Sequence, residues 1–140
     1  MMKKIAVLLV LSAVVCLSSC TLEDDGPNFH FAPLQITAAQ LPDTFRLSET
    51  YRINFTYLRP DNCTFYDYPD VRKPQGANIR EVVAIGIVRT DMDACEDLME
   101  ENEAAFDFAI IYNEPYTFRF YQGEDNAGEP QYLEVTVPVN

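Results

Sequence analysis

Hydrophobic and polar residues alternate along much of the chain, in short segments separated by turn-forming residues. The clearest segment is 51–57, where Tyr51, Ile53, Phe55 and Tyr57 occupy every second position. Successive side chains of a β-strand point to opposite faces, so this period predicts a strand with one buried side.

The same argument predicts six further strands, bounded by proline, glycine, asparagine and aspartate. They cover residues 32–38, 63–68, 79–90, 105–111, 116–121 and 132–139. Segment 69–78 is predicted to be a loop, and 123–128 a hairpin turn. The single place where a short helix is expected is 91–103, because Cys95, Leu98 and Met99 would share one helical face.

About seven short strands within the 110 residues 31–140 predict an all-β domain. The spacing of the strands and turns is typical of an antiparallel, immunoglobulin-like β-sandwich. A small barrel is the alternative. The chain has no tryptophan, whereas immunoglobulin domains pack a core tryptophan against their disulfide.

Residues 1–19 have the composition of a secretory signal peptide. Lys3 and Lys4 precede an apolar run over 5–15, which is too short to cross a bilayer, since crossing takes about 20 residues. A transmembrane anchor is the alternative. We therefore expect cleavage after a small residue near position 19.

The tetrad Leu17-Ser18-Ser19-Cys20 resembles the bacterial lipobox, in which cleavage precedes the cysteine. The resemblance implies that the Cys20 sulfur carries a diacylglyceryl group, so that the protein attaches to the membrane through its N-terminal lipid. Thr21 stands where an aspartate would resemble an inner-membrane retention signal. Outer-membrane attachment, at the cell surface or on the periplasmic side, is therefore expected.

Two further resemblances point to the same compartment. The triplet Glu23-Asp24-Asp25 is similar to the acidic export signal of Bacteroidetes surface lipoproteins. The end of the chain, YTFRFYQGEDNAGEPQYLEVTVPV over 116–139, resembles small Bacteroidetes-type lipoproteins of unknown function. These resemblances imply a location and a fold but no activity. The expected organisation is a signal peptide over 1–19, a lipidated and acidic tether over 20–30, and a β-sandwich domain over 31–140.

The chain is strongly acidic, with a formal net charge of −12. Without residues 1–19 it has 8 basic and 22 acidic residues, a net charge of −14. Such a surface repels nucleic-acid phosphates and anionic headgroups. A nucleic-acid partner is therefore not expected, and membrane attachment has to come from the lipid.

Cys63 and Cys95 are the two cysteines of the predicted domain. In an oxidising compartment two such thiols usually pair, so we predict a disulfide between them. A metal site is the alternative, but the single histidine, His30, lies in the tether. Free thiols are the remaining alternative.

The segment after residue 90 is the richest acidic cluster. Asp91, Asp93 and Asp97 are weak candidates for calcium ligands, because calcium prefers several oxygens from one loop. The spacing does not match an EF-hand, and a solvated charged loop is the ordinary alternative. No cofactor is predicted.

No set of residues specifies a reaction, so an enzyme is not expected. A nucleophilic triad usually needs a histidine base, and any pair among 22 acidic residues is uninformative. The aromatic segment after Cys63 offers Tyr66 and Tyr68 as candidate ligand-binding residues, with packing under the neighbouring loop as the alternative.

The sequence thus predicts a lipid-anchored, non-enzymatic binding or assembly component of the outer membrane, with an envelope protein as its partner. The alternatives are a glycan- or ligand-binding module for nutrient capture and an inhibitor of a hydrolase that attacks the envelope.

Overall fold

The computed structural model describes residues 26–74 and 78–140. Within these ranges there is no α-helix, and hence no helix long and apolar enough to span a membrane. The strands are β1 (Phe29–Leu34), β2 (Ile36–Gln40), β3 (Thr50–Asp61), β4 (Thr64–Arg72), β5 (Ile79–Arg89), β6 (Asp97–Ala109), β7 (Tyr116–Glu124) and β8 (Pro130–Val137).

The strands form two sheets, as a β-sandwich requires. The smaller sheet has the order β2-β3-β6. In the larger sheet β4 pairs with one edge of β5. On the other edge, β7 pairs with residues 79–82 of β5 and β1 pairs with residues 84–89, while β8 pairs with β7. The predicted all-β, two-sheet architecture is confirmed. The pairing of β5 with β7 is parallel, however, and in this respect the sheet departs from the antiparallel arrangement that we expected.

Aromatic rings from both sheets meet in the core. Phe118 of β7 lies 5.1 Å from Phe108 of β6 and 6.1 Å from Phe45, measured between ring centroids. Phe45 is fully buried, although it lies outside the strands, because backbone hydrogen bonds hold it against Pro138 and Asn140. The core thus includes a residue from a connecting segment as well as the alternating positions of the strands.

The prediction of a short helix over 91–103 is wrong, because β6 begins at Asp97 and pairs with β3 from that residue onward. In a helix, Asp97 and Glu101 would lie next to each other on one face, because residues four apart are neighbours there, and their like charges would repel. In the strand, Leu98 and Met99 remain exposed. They form a β-bulge opposite Pro60, and Met99 takes a positive φ of 50°.

Two strand boundaries also differ from the prediction. The expected strand over 32–38 is two strands, because the chain crosses between the sheets at Gln35, with Leu34 buried in one and Ile36 in the other. The loop expected over 69–78 begins later, since β4 continues to Arg72. Pro69 is tolerated there because β4 is an edge strand. These changes give eight strands instead of about seven.

The predicted disulfide between Cys63 and Cys95 is confirmed. Cys63 lies in the turn between β3 and β4, and Cys95 lies in the crossover from β5 to β6. Asn62 supports the same junction through two hydrogen bonds to Glu96. The Asn62 side-chain oxygen accepts from the backbone N–H of Glu96 at 2.9 Å, and the backbone N–H of Asn62 donates to the Glu96 carbonyl at 3.1 Å. The disulfide therefore fixes the acidic crossover to the end of the sandwich.

Candidate binding face

Aromatic side chains collect on the outer face of the larger sheet. Phe31 of β1 and Phe65 of β4 both lie opposite Ile87 of β5, one on each side. Phe29 packs against Phe31 edge to face, with ring centroids 5.6 Å apart, and Tyr68 of β4 lies opposite Ile85. We name this surface the aromatic face and define it by the following residues: Phe29, Phe31, Phe65, Tyr68, Ile85 and Ile87.

The aromatic face is exposed. The exposed fractions are 57% for Phe31, 45% for Tyr68, 41% for Phe65 and 38% for Phe29, whereas Ile85 beneath them is buried. Single exposed apolar residues are normal on a soluble protein, but a group on the two strands that flank β5 is typical of a contact surface. The aromatic face is therefore the strongest candidate for a functional site among the described residues.

A β-bulge in β4 decides which tyrosine belongs to this face. Tyr66 pairs with Gly86 and Tyr68 pairs with Ile85, so Asp67 between them has no partner in β5. The extra residue reverses the alternation, and Tyr66 points inward while Tyr68 points outward. The two predicted binding residues thus lie on opposite faces of the sheet and do not form one platform.

Most charged side chains around the aromatic face are paired, and the exposed exception is Asp67 at the bulge of β4. The Arg59 guanidinium lies 4.7 Å from the centre of the Phe65 ring and donates to the Thr64 carbonyl at 2.6 Å. Arg89, opposite Phe29 in the sheet, donates two hydrogen bonds to Asp91, at 2.9 and 2.6 Å. These bonds lower the pKa of the Asp91 carboxyl. The face consequently presents aromatic surface with little unpaired charge.

The outer face of the smaller sheet is different, because it is polar and acidic. Glu101 and Glu103 of β6 are exposed there, opposite Leu58 and Thr56 of β3. Asp107 on the same face forms an ion pair with Arg52, at 3.4 Å. The sandwich thus has one aromatic outer face and one acidic outer face.

The weak calcium candidates are not assembled into a site. Asp91 is held by Arg89, and Asp97 lies opposite Asp61 in the β3–β6 register. The Asp61 carboxylate already accepts hydrogen bonds from the Cys63 amide at 3.0 Å and from the Thr64 hydroxyl at 2.7 Å. Among the residues that the structure describes, no three His, Cys, Asp or Glu side chains are placed to hold a metal ion.

A groove of about 300 Å³ lies where β1 crosses to β2. Its lining includes Leu34, Leu58, Met99 and Tyr121 and contains no carboxylate, histidine or lysine. Burial raises the pKa of the Tyr121 hydroxyl, which keeps this group protonated at neutral pH. The lining therefore supplies no general acid or base that would titrate near neutral pH.

Sequence reasoning missed part of the aromatic face. The predicted tether includes Phe29, although Phe29 and Phe31 alternate with the polar His30. That alternation is the available signal, and the structure places β1 there. The predicted lipidation residue Cys20 lies outside the described residues.

The chain matches no known protein family, no curated protein and no solved structure.

Proposed function

We propose that this protein is a lipid-anchored, non-enzymatic binding or assembly component of the outer membrane, and that the aromatic face is its contact surface. The observation that carries the proposal is the group of four exposed aromatic residues on β1 and β4, the two strands that flank β5. Burying such surface is the main source of affinity in most contacts between macromolecules.

The sequence supports the anchor, and the position of β1 connects the anchor with the aromatic face. Phe29 follows Cys20 by nine residues, a length that spans at most about 31 Å. A lipid at Cys20 would thus keep the face within that distance of the bilayer. This favours a contact inside the envelope over one with a distant soluble ligand.

The anchor is tested by labelling cells with a radioactive fatty acid. We expect label in the wild-type chain, and we expect Cys20→Ala to abolish the label and to move the protein from the membrane to the soluble fraction. A Cys20→Ala chain that stays labelled and bound to the membrane would show that the anchor is wrong.

The contact surface is tested by photo-crosslinking in intact cells. A photoreactive phenylalanine analogue replaces Phe31 in one strain and, as a matched control, Leu98 in another, since Leu98 is 42% exposed on the smaller sheet. We expect an adduct, with either protein or lipid, from position 31 and not from position 98. Equal adduct yields at the two positions would contradict a role for the aromatic face.

The acidic outer face supports a second candidate, an inhibitor of a basic hydrolase that attacks the envelope. Glu101 and Glu103 have no cation within ion-pair distance among the described residues, so they are available to a basic partner. A basic hydrolase such as a lysozyme should then form a stoichiometric complex that Glu101→Gln with Glu103→Gln weakens. Tyr68→Ser is the control and should leave the complex unchanged. Failure to inhibit at micromolar concentrations would exclude this candidate.

We also propose that the sandwich is a variant of the immunoglobulin-like type. Support comes from its connections, since the chain changes sheets between β1 and β2, β3 and β4, β5 and β6, and β6 and β7. The parallel β5–β7 pair is the distinctive feature of the variant. Amide contacts by NMR between Arg80 and Phe118, which are paired in this register, would test it.

A further inference from the structure

We propose that the aromatic face docks onto the lipid–water interface of the membrane that holds the anchor. This proposal rests on the lipid anchor proposed above, and it names the partner of the same face. The alternatives, a protein neighbour or a second copy of this chain, are outcomes of the test below.

The first argument is the place where the tether enters the domain. Phe29 and Phe31 belong to the first strand after Cys20, and both side chains lie on the outer face of the larger sheet. A chain of nine residues, at most about 31 Å long, confines that face near the bilayer. Tethering over such lengths gives effective concentrations on the order of millimolar, so a weak contact is enough.

The second argument is the chemistry of the face. Tyrosine is favoured at membrane interfaces because its ring contacts acyl chains while its hydroxyl remains hydrated, and phenylalanine is favoured on the apolar side of interfacial segments. Tyr68 has such a tip, and the Arg59 guanidinium lies over the Phe65 ring as a cation–π contact, which places a polar group at the margin of the face. The aromatic face therefore has the composition of an interfacial surface.

The third argument is the distribution of charge. An acidic domain is repelled by anionic headgroups, and the repulsion is weakest where its charges are paired. On the aromatic side Arg89 is bonded to Asp91 and Arg72 to Asp70. On the opposite side Glu101 and Glu103 are exposed without such partners among the described residues. Docking through the aromatic face thus directs Glu101 and Glu103 away from the membrane and leaves Asp67 as the unpaired carboxylate beside the face.

The experiment uses the absence of tryptophan from the chain. Phe31→Trp places a single fluorescent probe on the aromatic face, and Leu98→Trp is the matched control on the smaller sheet. Once Cys63 and Cys95 are joined, Cys20 is the one thiol left in a chain that begins at Cys20, so it can be coupled to a maleimide lipid. The vesicles are phosphatidylcholine, with or without bromine on the acyl chains.

We expect the fluorescence emission of F31W to shift to shorter wavelength on vesicles. Brominated lipid should quench it at least about twofold more than L98W, because quenching needs contact with acyl chains. Adding Phe65→Ser and Tyr68→Ser to F31W should abolish both effects while circular dichroism stays unchanged. If F31W does not fold, Phe65→Trp is the equivalent probe.

Equal quenching of F31W and L98W would overturn the proposal. A blue shift of F31W that depends on protein concentration without vesicles would also overturn it, because a second copy would then occupy the face. In cells, a protein adduct in place of a lipid adduct at position 31 overturns the lipid docking and leaves the proposed binding function intact. Absence of fatty-acid label from the wild type would instead overturn the anchor, and with it the docking, whereas the other outcomes above leave the anchor intact.

Discussion

Tyr57 and Tyr66 stack across the two sheets, with ring centroids 4.8 Å apart and an angle of 23° between the rings. Tyr57 belongs to β3 of the smaller sheet and Tyr66 to β4 of the larger one, and Phe55 packs edge-on against Tyr66 at 6.3 Å. This contact closes the core at the β4 edge. Tyr68, two residues further along the same strand, takes no part in it.

The first prediction compares these two tyrosines. Tyr66→Ala should lower the free energy of unfolding by about 2 kcal/mol or more, because it removes a ring that is packed between the sheets. Tyr68→Ala should change it by less than about 0.5 kcal/mol, since exposed positions contribute little. Urea denaturation followed by circular dichroism measures both, and equal losses would contradict the assignment of the two faces.

The second prediction concerns alkaline pH. Burial, with smaller contributions from Tyr57 and Asp67, raises the pKa of Tyr66 to about 12 from the ordinary value of 10. The folded protein then holds the proton more tightly than the unfolded chain. The stabilisation is complete below pH 10 and is lost as the pH rises through the folded pKa.

Tyrosinate absorbance should therefore show a late ionisation step from Tyr66, with unfolding setting in as the pH rises from 10 to about 12. Tyr66→Phe should remove the late step and flatten the dependence of stability on pH between these two pKa values. An unchanged titration curve for Tyr66→Phe would contradict the assignment.

The third prediction concerns Gly86 in the middle of β5. A Cβ atom at this position would lie 3.0 Å from Leu34, which is buried beside it. Gly86→Ala should thus lower stability by about 1–3 kcal/mol through overpacking. Thermal unfolding measures the loss, and combining it with Leu34→Val should cost less than the sum of the two single changes. Strict additivity would show that the two residues do not compete for the same space.

The fourth prediction concerns the disulfide. Replacing Cys63 and Cys95 together by serine should lower the free energy of unfolding by about 3–4 kcal/mol, because the cross-link restricts the unfolded chain over a separation of 32 residues. Cys20→Ser is the control and should leave the unfolding curve of the domain unchanged. A similar loss for both variants would show that the effect is not due to the cross-link.

The fifth prediction concerns calcium. Asp91 is bonded to Arg89, and Asp97 lies opposite Asp61 instead of beside Asp91 in one loop. Millimolar calcium should consequently leave Tm unchanged after correction for ionic strength, which a matched sodium chloride series provides. A rise in Tm that Asp93→Asn removes would show that the acidic crossover binds calcium after all.

The aromatic face shows what single-sequence reasoning can and cannot find. Alternation along β3 predicts its buried side correctly, because a half-buried strand leaves a period of two in the sequence. The same rule places Tyr66 and Tyr68 on one face and is wrong there. A bulge such as the one at Asp67 depends on the partner strand, and no local signal marks it.

By itself the sequence determined the all-β character, most of the strands and the Cys63–Cys95 pairing, because alternation and cysteine chemistry are local or compositional properties. Tertiary structure alone decided that residues 97–103 form a strand, that β5 and β7 run parallel, and that Phe45 enters the core. It also decided that Phe29 and Phe31 lie on the same surface as Phe65, on the other side of β5. Each of these depends on which distant strands lie side by side, and that pairing is fixed by packing the whole chain.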